Sequence, residues 1–193
     1  MRNRIAIIDG HPDADRHHFI HALADSYGDG AEAAGHEVRR IDVAALDFPV
    51  LRSRHAWADE PPPEAIRTAQ DTIGWADHLA FFYPLWLGDV PALLKAFLEQ
   101  VMRPGFAIGE GADLRKAGLL KGKSAHVVVT MGMPAFFYRF YYGAHSVRSF
   151  ERNILKFAGI APIGRTLIGD VEANADERAG WLDEMYGLGE SVG

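Results

Sequence analysis

The sequence predicts an α/β protein in which helices cover both faces of an open, doubly wound, five-stranded parallel sheet, a three-layer α/β/α sandwich. Short continuous apolar runs, typical of strands buried on both faces, alternate along the chain with longer segments whose apolar residues recur at helical spacing. The chain has 193 residues, of which 48% are hydrophobic, and this length suits one domain over residues 1–193 better than two.

The first half of the chain supplies three strands and two helices. Gly35 is expected to end the first helix, and Pro61 to Pro63 precede the second. The predicted elements are a strand at 5–8, a helix at 16–34, a strand at 37–42, an irregular excursion at 43–63, a helix at 64–76 and a strand at 78–83.

The second half continues the alternation. Pro91 stands where the first turn of a helix tolerates proline, and that helix is expected to end before Pro104. The later predicted elements are a strand at 123–130, a helix at 148–158, a strand at 163–168 and a helix at 176–188.

Composition excludes several classes of function. The 20 basic and 26 acidic residues give a net charge of −6, so no global positive field favours nucleic acid. With no cysteine, the chain has no thiolate for a disulfide, a four-thiolate zinc site or a nucleophile. The N-terminus lacks a signal-peptide pattern, and the longest apolar run is interrupted by Pro84. We therefore expect a cytoplasmic protein without membrane insertion.

Ligands of doubly wound sheets bind beyond the carboxyl ends of the strands, so three loops are candidates. The first, 10–19, enters a helix N-terminus, where backbone N–H groups can hold a phosphate, assisted by His11, Arg16 and His18. The alternative is that Asp13 or Asp15 is an ordinary N-cap.

The second and third loops are unusually apolar. Residues 84–87 favour either one wall of a pocket for a flat ring system or a contact with the core or with another subunit. The third loop, 130–145, carries six aromatic residues, glycine for close backbone approach, and Tyr138 and His145 as hydrogen-bond donors. This loop suits a ligand cover, a dimer surface, or both.

One pair of histidines has the spacing of a possible metal site. His17 and His21 lie four residues apart on the first predicted helix, but no third ligand is clearly placed beside them. A solvated helix face is the preferred interpretation, and we expect no metal.

The three loops resemble those of the flavodoxin-like NAD(P)H dehydrogenase (quinone) family, also called NAD(P)H:quinone reductases. The most specific segment is 83–97, YPLWLGDVPALLKAF, which continues to Arg103-Pro104-Gly105-Phe106-Ala107. The segment Thr130-Met131-Gly132-Met133, with Tyr138 and His145 downstream, resembles the third flavin loop of the family. The order of elements agrees over nearly the whole chain.

The resemblance implies positions for a non-covalent flavin, FAD or FMN. It places His11, His18 and Phe19 at the flavin phosphates. Tyr138 and His145 would stabilise negative charge near the pyrimidine end, with Tyr141 or Tyr142 as substitutes for Tyr138. The residues expected along the isoalloxazine ring are Pro84, Leu85, Trp86 and Leu87 on one edge and Thr130, Met131, Gly132 and Met133 on the other.

The implied activity is a two-electron hydride relay from NADH or NADPH through the flavin to a quinone, in a homodimer with flavin sites near the interface. Three alternatives stay open. They are azo or nitro reduction on the same scaffold, a flavin-binding regulatory subunit of a potassium efflux system, and a flavodoxin-type electron carrier, which the aromatic third loop disfavours.

Overall fold

All five strands of the protein form one parallel sheet in the order β2-β1-β3-β4-β5, as seen in a computed structural model that describes residues 2–109, 118–172 and 175–193. The strands are β1 (Arg4–Asp9), β2 (Glu37–Asp42), β3 (His78–Pro84), β4 (Ser124–Thr130) and β5 (Ile163–Ile168). The chain runs outward from β1 to one edge and then back across to the other. This is the flavodoxin-like strand order, so the predicted fold class is confirmed.

Helices cover both faces of the sheet. They are α1 (Phe19–Ala33), α2 (Arg54–Ala58), α3 (Glu64–Trp75), α4 (Ala92–Val101), α5 (Ala135–Phe140), α6 (His145–Ser149) and α7 (Ala175–Glu190). A short 3₁₀ turn lies at Val43–Ala45, and a π-helical turn at Phe150–Leu155 continues α6. The chain between β4 and β5 is therefore more helical than the sequence indicated.

Two apolar cores lie on the two sides of the sheet. One packs α3, α4 and the segment after α5 against residues such as Ile8, Phe81 and Val129. The other packs α1 and α7 against residues such as Ile7 and Phe82. Neighbouring residues of a strand point to opposite faces of the sheet. The continuous apolar runs of the central strands therefore contribute side chains to both cores.

The predicted first helix begins three residues too early. The Asp13 and Asp15 carboxylates accept backbone N–H bonds from Asp15 (2.9 Å) and His17 (3.1 Å). Such local side-chain bonds stabilise turns in competition with a helix. Residues 10–18 are therefore a structured loop, and α1 begins at Phe19.

The predicted irregular excursion at 43–63 contains a short helix and is held by hydrogen bonds from a residue distant in sequence. Ser53 caps α2 by accepting the N–H bond of Ala56 (3.0 Å). The buried Arg103 guanidinium donates to the carbonyls of Ala56 and Glu60, both at 2.9 Å. The excursion is thus held against the C-terminal end of α4.

Candidate functional site

Three loops meet at the carboxyl edge of the sheet because they follow adjacent strands. The first follows β1, the second follows β3, and the third follows β4. The rings of His11 and Trp86 are in edge contact, with centroids 5.9 Å apart, which joins the first loop to the second. The N–H of Leu85 donates to the Thr130 carbonyl (2.7 Å), which joins the second loop to the third.

The N-terminus of α1 retains free backbone donors. Its N-cap is His18, whose side chain makes no capping bond. The interpretation of Asp13 or Asp15 as the N-cap is therefore wrong, because both carboxylates are engaged within the loop. The His21 N–H donates to the His18 carbonyl (3.1 Å), whereas the N–H groups of Phe19 and Ile20 have no partner among the described residues. Together with the positive end of the helix dipole, these two groups are available to an anion.

A histidine cluster flanks this helix end. The His11 and His18 rings are stacked with centroids 4.1 Å apart. Nδ1 of His11 lies 3.0 Å from the backbone nitrogen and 3.1 Å from the carbonyl oxygen of Asp13, so Asp13 holds this ring nitrogen in either tautomer. Burial lowers the pKa of His11. The lowered pKa favours the uncharged imidazole at neutral pH. Phe19, the first residue of α1, packs partly buried against the core.

His21 belongs to this cluster rather than to a solvated helix face, so that interpretation is wrong for His21. Its side chain is 3% exposed, and Nδ1 lies 2.5 Å from the equally buried Asp9 carboxylate. Its Nε2 lies 3.1 Å from the Asp13 carbonyl. Of the pair His17 and His21, His17 alone is exposed to solvent. Among the described residues, no group of three His, Asp or Glu side chains is arranged to hold a metal.

The second loop combines one anchor with two outward apolar side chains. Leu85 packs against the core, directly after Pro84, the last residue of β3. Trp86 and Asp89 exchange backbone hydrogen bonds of 3.0 and 2.9 Å, which closes a tight turn. At its tip Leu87 has a φ of 49° and is fully exposed, while Trp86 is 49% exposed. A left-handed backbone conformation is unfavourable for leucine, and so is exposure of its side chain to water. Backbone strain of this kind is typical of functional sites.

The third loop first locks into the sheet and then turns outward. Thr130 and Met131 are buried, and the N–H of Met131 donates to the Ile168 carbonyl (2.9 Å). Gly132 and Met133 emerge from the sheet edge, and nothing lies within 4 Å of where a Cβ of Gly132 would stand. Met131 therefore belongs to the core, whereas Gly132 and Met133 face the space above the sheet.

One cavity of about 530 Å³ joins the second and third loops. Four of its lining residues were predicted as site residues, Tyr142 was expected only as a substitute for Tyr138, and Gly88 was not predicted. Its lining comprises Leu87, Gly88, Met133, Tyr138, Tyr142 and His145. A largely apolar cavity with a few polar side chains suits a planar ring with polar edges, so these residues fit a flavin ring. His11 and His18 do not line this cavity. They belong to the first loop, where a phosphate would be held.

The two tyrosines of this cavity, Tyr138 and Tyr142, differ in how far their side chains are exposed. Tyr138 is 1% exposed, its hydroxyl lies 2.5 Å from Ser146 Oγ, and the Val147 N–H donates to it (3.4 Å). It contributes a ring to the wall, and its hydroxyl is engaged inside the protein. Tyr142 is 41% exposed and lines the same cavity. Tyr141 stacks on Phe137 (4.9 Å) and is 73% exposed.

None of the helices in the described parts of the chain has the length and apolar character needed to cross a lipid bilayer.

Two curated relatives resemble this chain over different lengths. A protein of Haemophilus influenzae named an uncharacterized NAD(P)H oxidoreductase is 28% identical over 175 residues, which span 89% of this chain and 86% of that protein. An FMN-dependent NADH:quinone oxidoreductase of Ruegeria pomeroyi is 28% identical over 127 residues, or 58% of this chain and 62% of that one. Another curated relative is matched over only 33% of its length.

A solved structure and a family model cover nearly the whole chain. The NAD(P)H:quinone oxidoreductase from Methanothermobacter marburgensis superposes with a TM-score of 0.83 at 24% identity, covering 98% of this chain and 96% of that one. The flavodoxin-like fold family matches residues 3–186. The chain therefore belongs to the flavodoxin-like fold family.

Proposed function

We propose that the protein is a flavin-dependent NAD(P)H:quinone oxidoreductase. One observation carries this proposal: the 530 Å³ cavity at the carboxyl edge of β3 and β4 gathers apolar and aromatic side chains from two loops around the ends of the sheet. The relatives named as FMN-dependent NADH:quinone oxidoreductase and NAD(P)H oxidoreductase support it.

The first loop holds the phosphate end of the cofactor. The N–H groups of Phe19 and Ile20 at the start of α1 supply hydrogen bonds to phosphate oxygens, and the His11 ring, stacked on the N-cap residue His18, adds a donor when its Nε2 carries the proton. His18 stacks on His11 and keeps that ring in place, while its own Nε2 pairs with the Asp13 carboxylate (3.1 Å). The buried Asp9–His21 pair joins the end of β1 to α1 and so holds both ends of the loop.

The second and third loops hold the ring end. Leu87 and Met133 line the cavity and provide apolar contact to the ring, and Trp86 precedes Leu87 in the same turn. His145 and Tyr142 are the exposed polar groups of the wall, and they donate hydrogen bonds to negative charge that develops on the ring. Gly88 lines the cavity, and nothing lies within 4 Å of where a Cβ of Gly88 or Gly132 would stand, so main-chain atoms of both are accessible to the ring edge.

The bound flavin supplies the two-electron chemistry, in which NAD(P)H, a proton and a quinone give NAD(P)⁺ and a hydroquinone. The protein binds both substrates in turn over the same apolar surface, excludes water and stabilises charge. No acid–base dyad is required of the chain. A cytoplasmic location fits a reaction that draws on reduced nicotinamide and a chain with no cysteine.

The test of this function is the visible spectrum of the purified protein. A yellow protein that loses its colour with anaerobic NADH or NADPH, and regains it with a quinone, supports the proposal. Mass measurement of the released cofactor distinguishes FMN from FAD. A colourless protein that neither flavin reconstitutes contradicts it. Recovery of colour with an azo dye but not with a quinone favours azo reduction instead.

We further propose a two-fold homodimer. Exposed apolar side chains lie at the cavity and next to it. Leu87 and Tyr142 line the cavity, the rings of Phe137 and Tyr141 contact Tyr142 with centroids 5.8 and 5.0 Å away, and Trp86 precedes Leu87. Exposed aromatic clusters of this kind mark interaction surfaces, and a second copy would cover them and enclose the flavin. Light scattering at working concentration tests this proposal, because a particle of 21.3 kDa is a monomer and contradicts it.

A further inference from the structure

A second cavity lies on another face of α5. It has a volume of about 590 Å³, larger than the cavity assigned to the flavin ring. Residues from α5, α6 and β5 line it: Ala135, Phe136, Arg139, Phe140, Ala144, Arg148, Arg165 and Leu167. None of these residues belongs to the predicted flavin site.

Three arginines from three separate elements line this cavity, which is unexpected in a chain with a net charge of −6. Arg165 is fixed by an ion pair of 2.9 Å with Glu151, a side chain that is 7% exposed. No carboxylate of the described residues lies within 4.0 Å of Arg139 or Arg148. Glu151 thus pairs with one of the three guanidinium groups that line the cavity, and the cavity keeps a positive charge.

Two aromatic rings accompany this charge. Phe136 and Phe140 are 65% and 76% exposed, and the Arg139 guanidinium lies 5.7 Å from the Phe140 ring centroid. Guanidinium groups bind phosphate oxygens in pairs of parallel hydrogen bonds, and aromatic faces stack on nucleobases. The combination fits a ligand that carries both a phosphate and a planar base.

The two cavities share α5 as a common wall. Tyr138 of this helix faces the cavity assigned to the flavin ring, while Phe136, Arg139 and Phe140 face the basic one. Ala144 lines the basic cavity, and its chain neighbour His145 lines the other. An α-helix with side chains is about 10 Å in diameter, so a single elongated ligand can reach both cavities around α5.

We propose that the basic cavity binds the adenosine 2′-phosphate end of NADPH, and that the enzyme therefore prefers NADPH to NADH. This inference rests on the proposed function for the nicotinamide half, which would lie over the flavin. The adenine would stack on Phe136 or Phe140, and the 2′-phosphate would be bound by Arg139 and Arg148. An arginine is the usual partner of this phosphate in NADP sites.

The first test is direct binding of 2′,5′-ADP to the flavin-loaded protein by calorimetry, with 5′-AMP as the ligand that lacks the 2′-phosphate. We expect 2′,5′-ADP to bind at least about tenfold more tightly than 5′-AMP, since a charge-assisted hydrogen bond would be lost with the phosphate. The double variant Arg139→Gln/Arg148→Gln should remove that difference. Arg152→Gln, an exposed arginine of the same segment outside the cavity, should preserve it.

The second test is the ratio of kcat/KM for NADPH to that for NADH, which should fall about tenfold or more in the double variant and stay unchanged in Arg152→Gln. Equal binding of the two adenosine phosphates overturns the proposal even if the enzyme is active. Displacement of 2′,5′-ADP by a sulfonated naphthoquinone, with no displacement by NADPH, assigns the cavity to an anionic acceptor instead and also overturns it. Loss of all NAD(P)H oxidation with retained 2′,5′-ADP binding contradicts the proposed reaction and supports the subsite.

Discussion

Two tyrosines of the cavity wall predict opposite mutational effects. Tyr138→Phe leaves the buried Ser146 hydroxyl and the Val147 N–H without a partner, so we expect the free energy of unfolding to fall by about 2 kcal/mol. Flavin reduction should change little, because that hydroxyl faces the protein interior. Tyr142→Phe should slow flavin reduction about tenfold through loss of a donor and leave stability nearly unchanged.

Urea unfolding and anaerobic stopped-flow reduction by NADPH separate the two effects in the same pair of variants. Tyr141→Phe is the matched control, since this tyrosine is exposed and does not line the cavity. Slow reduction in Tyr138→Phe with unchanged stability would assign the donor to Tyr138 and contradict this interpretation.

The sequence predicts which residues reach the site better than it predicts what their polar atoms do. Leu87, Tyr138 and His145 follow strand ends or lie in apolar loops, and such positions can be read from a strand pattern. Met133 was implied by the resemblance to the reductase family. The partner of the Tyr138 hydroxyl depends instead on how α5 and α6 pack. The Asp9–His21 pair likewise joins the end of a strand to a helix face twelve residues later, a contact that no local periodicity shows.

At the scale of elements, the excursion between β2 and α3 depends on one buried arginine. Arg103 is 5% exposed, and its guanidinium holds the carbonyls of Ala56 and Glu60 as well as the Gln100 side chain. Arg103→Met would leave these acceptors without a donor. We expect a loss of about 3 kcal/mol in the free energy of unfolding, together with new proteolytic cleavage within residues 50–60.

Arg67→Met is the control for this change, because Arg67 is exposed on α3 and forms no ion pair within the described part of the chain. A similar small loss in both variants, with no change in cleavage, would mean that the excursion is held by its apolar contacts alone.

Strands were easier to predict than the connections between them. The predicted bounds of β2 and β5 agree with the structure residue for residue, because apolar residues and glycine or proline mark both strands. Helices α2 and α5 were missed, since each has only five or six residues and periodicity needs a longer window. The stability of α2 comes from distant contacts, such as those of Arg103, rather than from local pattern.

At the scale of the whole molecule, the two ends of the sheet differ in character. The carboxyl edge has exposed aromatic rings, a left-handed leucine and free backbone donors. The amino edge is tied by buried polar pairs between neighbouring elements. In one of them, the ring nitrogens of His78 lie 3.0 Å from the Tyr27 hydroxyl and 2.7 Å from the Ser124 hydroxyl. The candidate site therefore lies at one end of the strands, and the contacts of His78 lie at the other.

This separation predicts a pH dependence of stability that is independent of the active site. Burial, reinforced by the nearby imidazoles of His126 and His36, lowers the pKa of His78 from 6.5 to about 4. The unfolded chain therefore takes up this proton at a higher pH than the folded chain does. Stability should be complete above pH 6.5 and fall as the pH decreases towards 4, by about 2 kcal/mol at pH 5 from this residue.

The measurement is the free energy of unfolding in urea at pH 7 and at pH 5, for the unmodified protein and for His78→Gln. Glutamine can pair with both hydroxyls but does not titrate, so the variant should lose about 2 kcal/mol less than the unmodified protein between the two pH values. Burial also lowers the pKa of His126, and this residue adds a loss of the same sign that the variant retains. Equal losses in the two proteins would show that His78 protonates without opening the amino edge of the sheet.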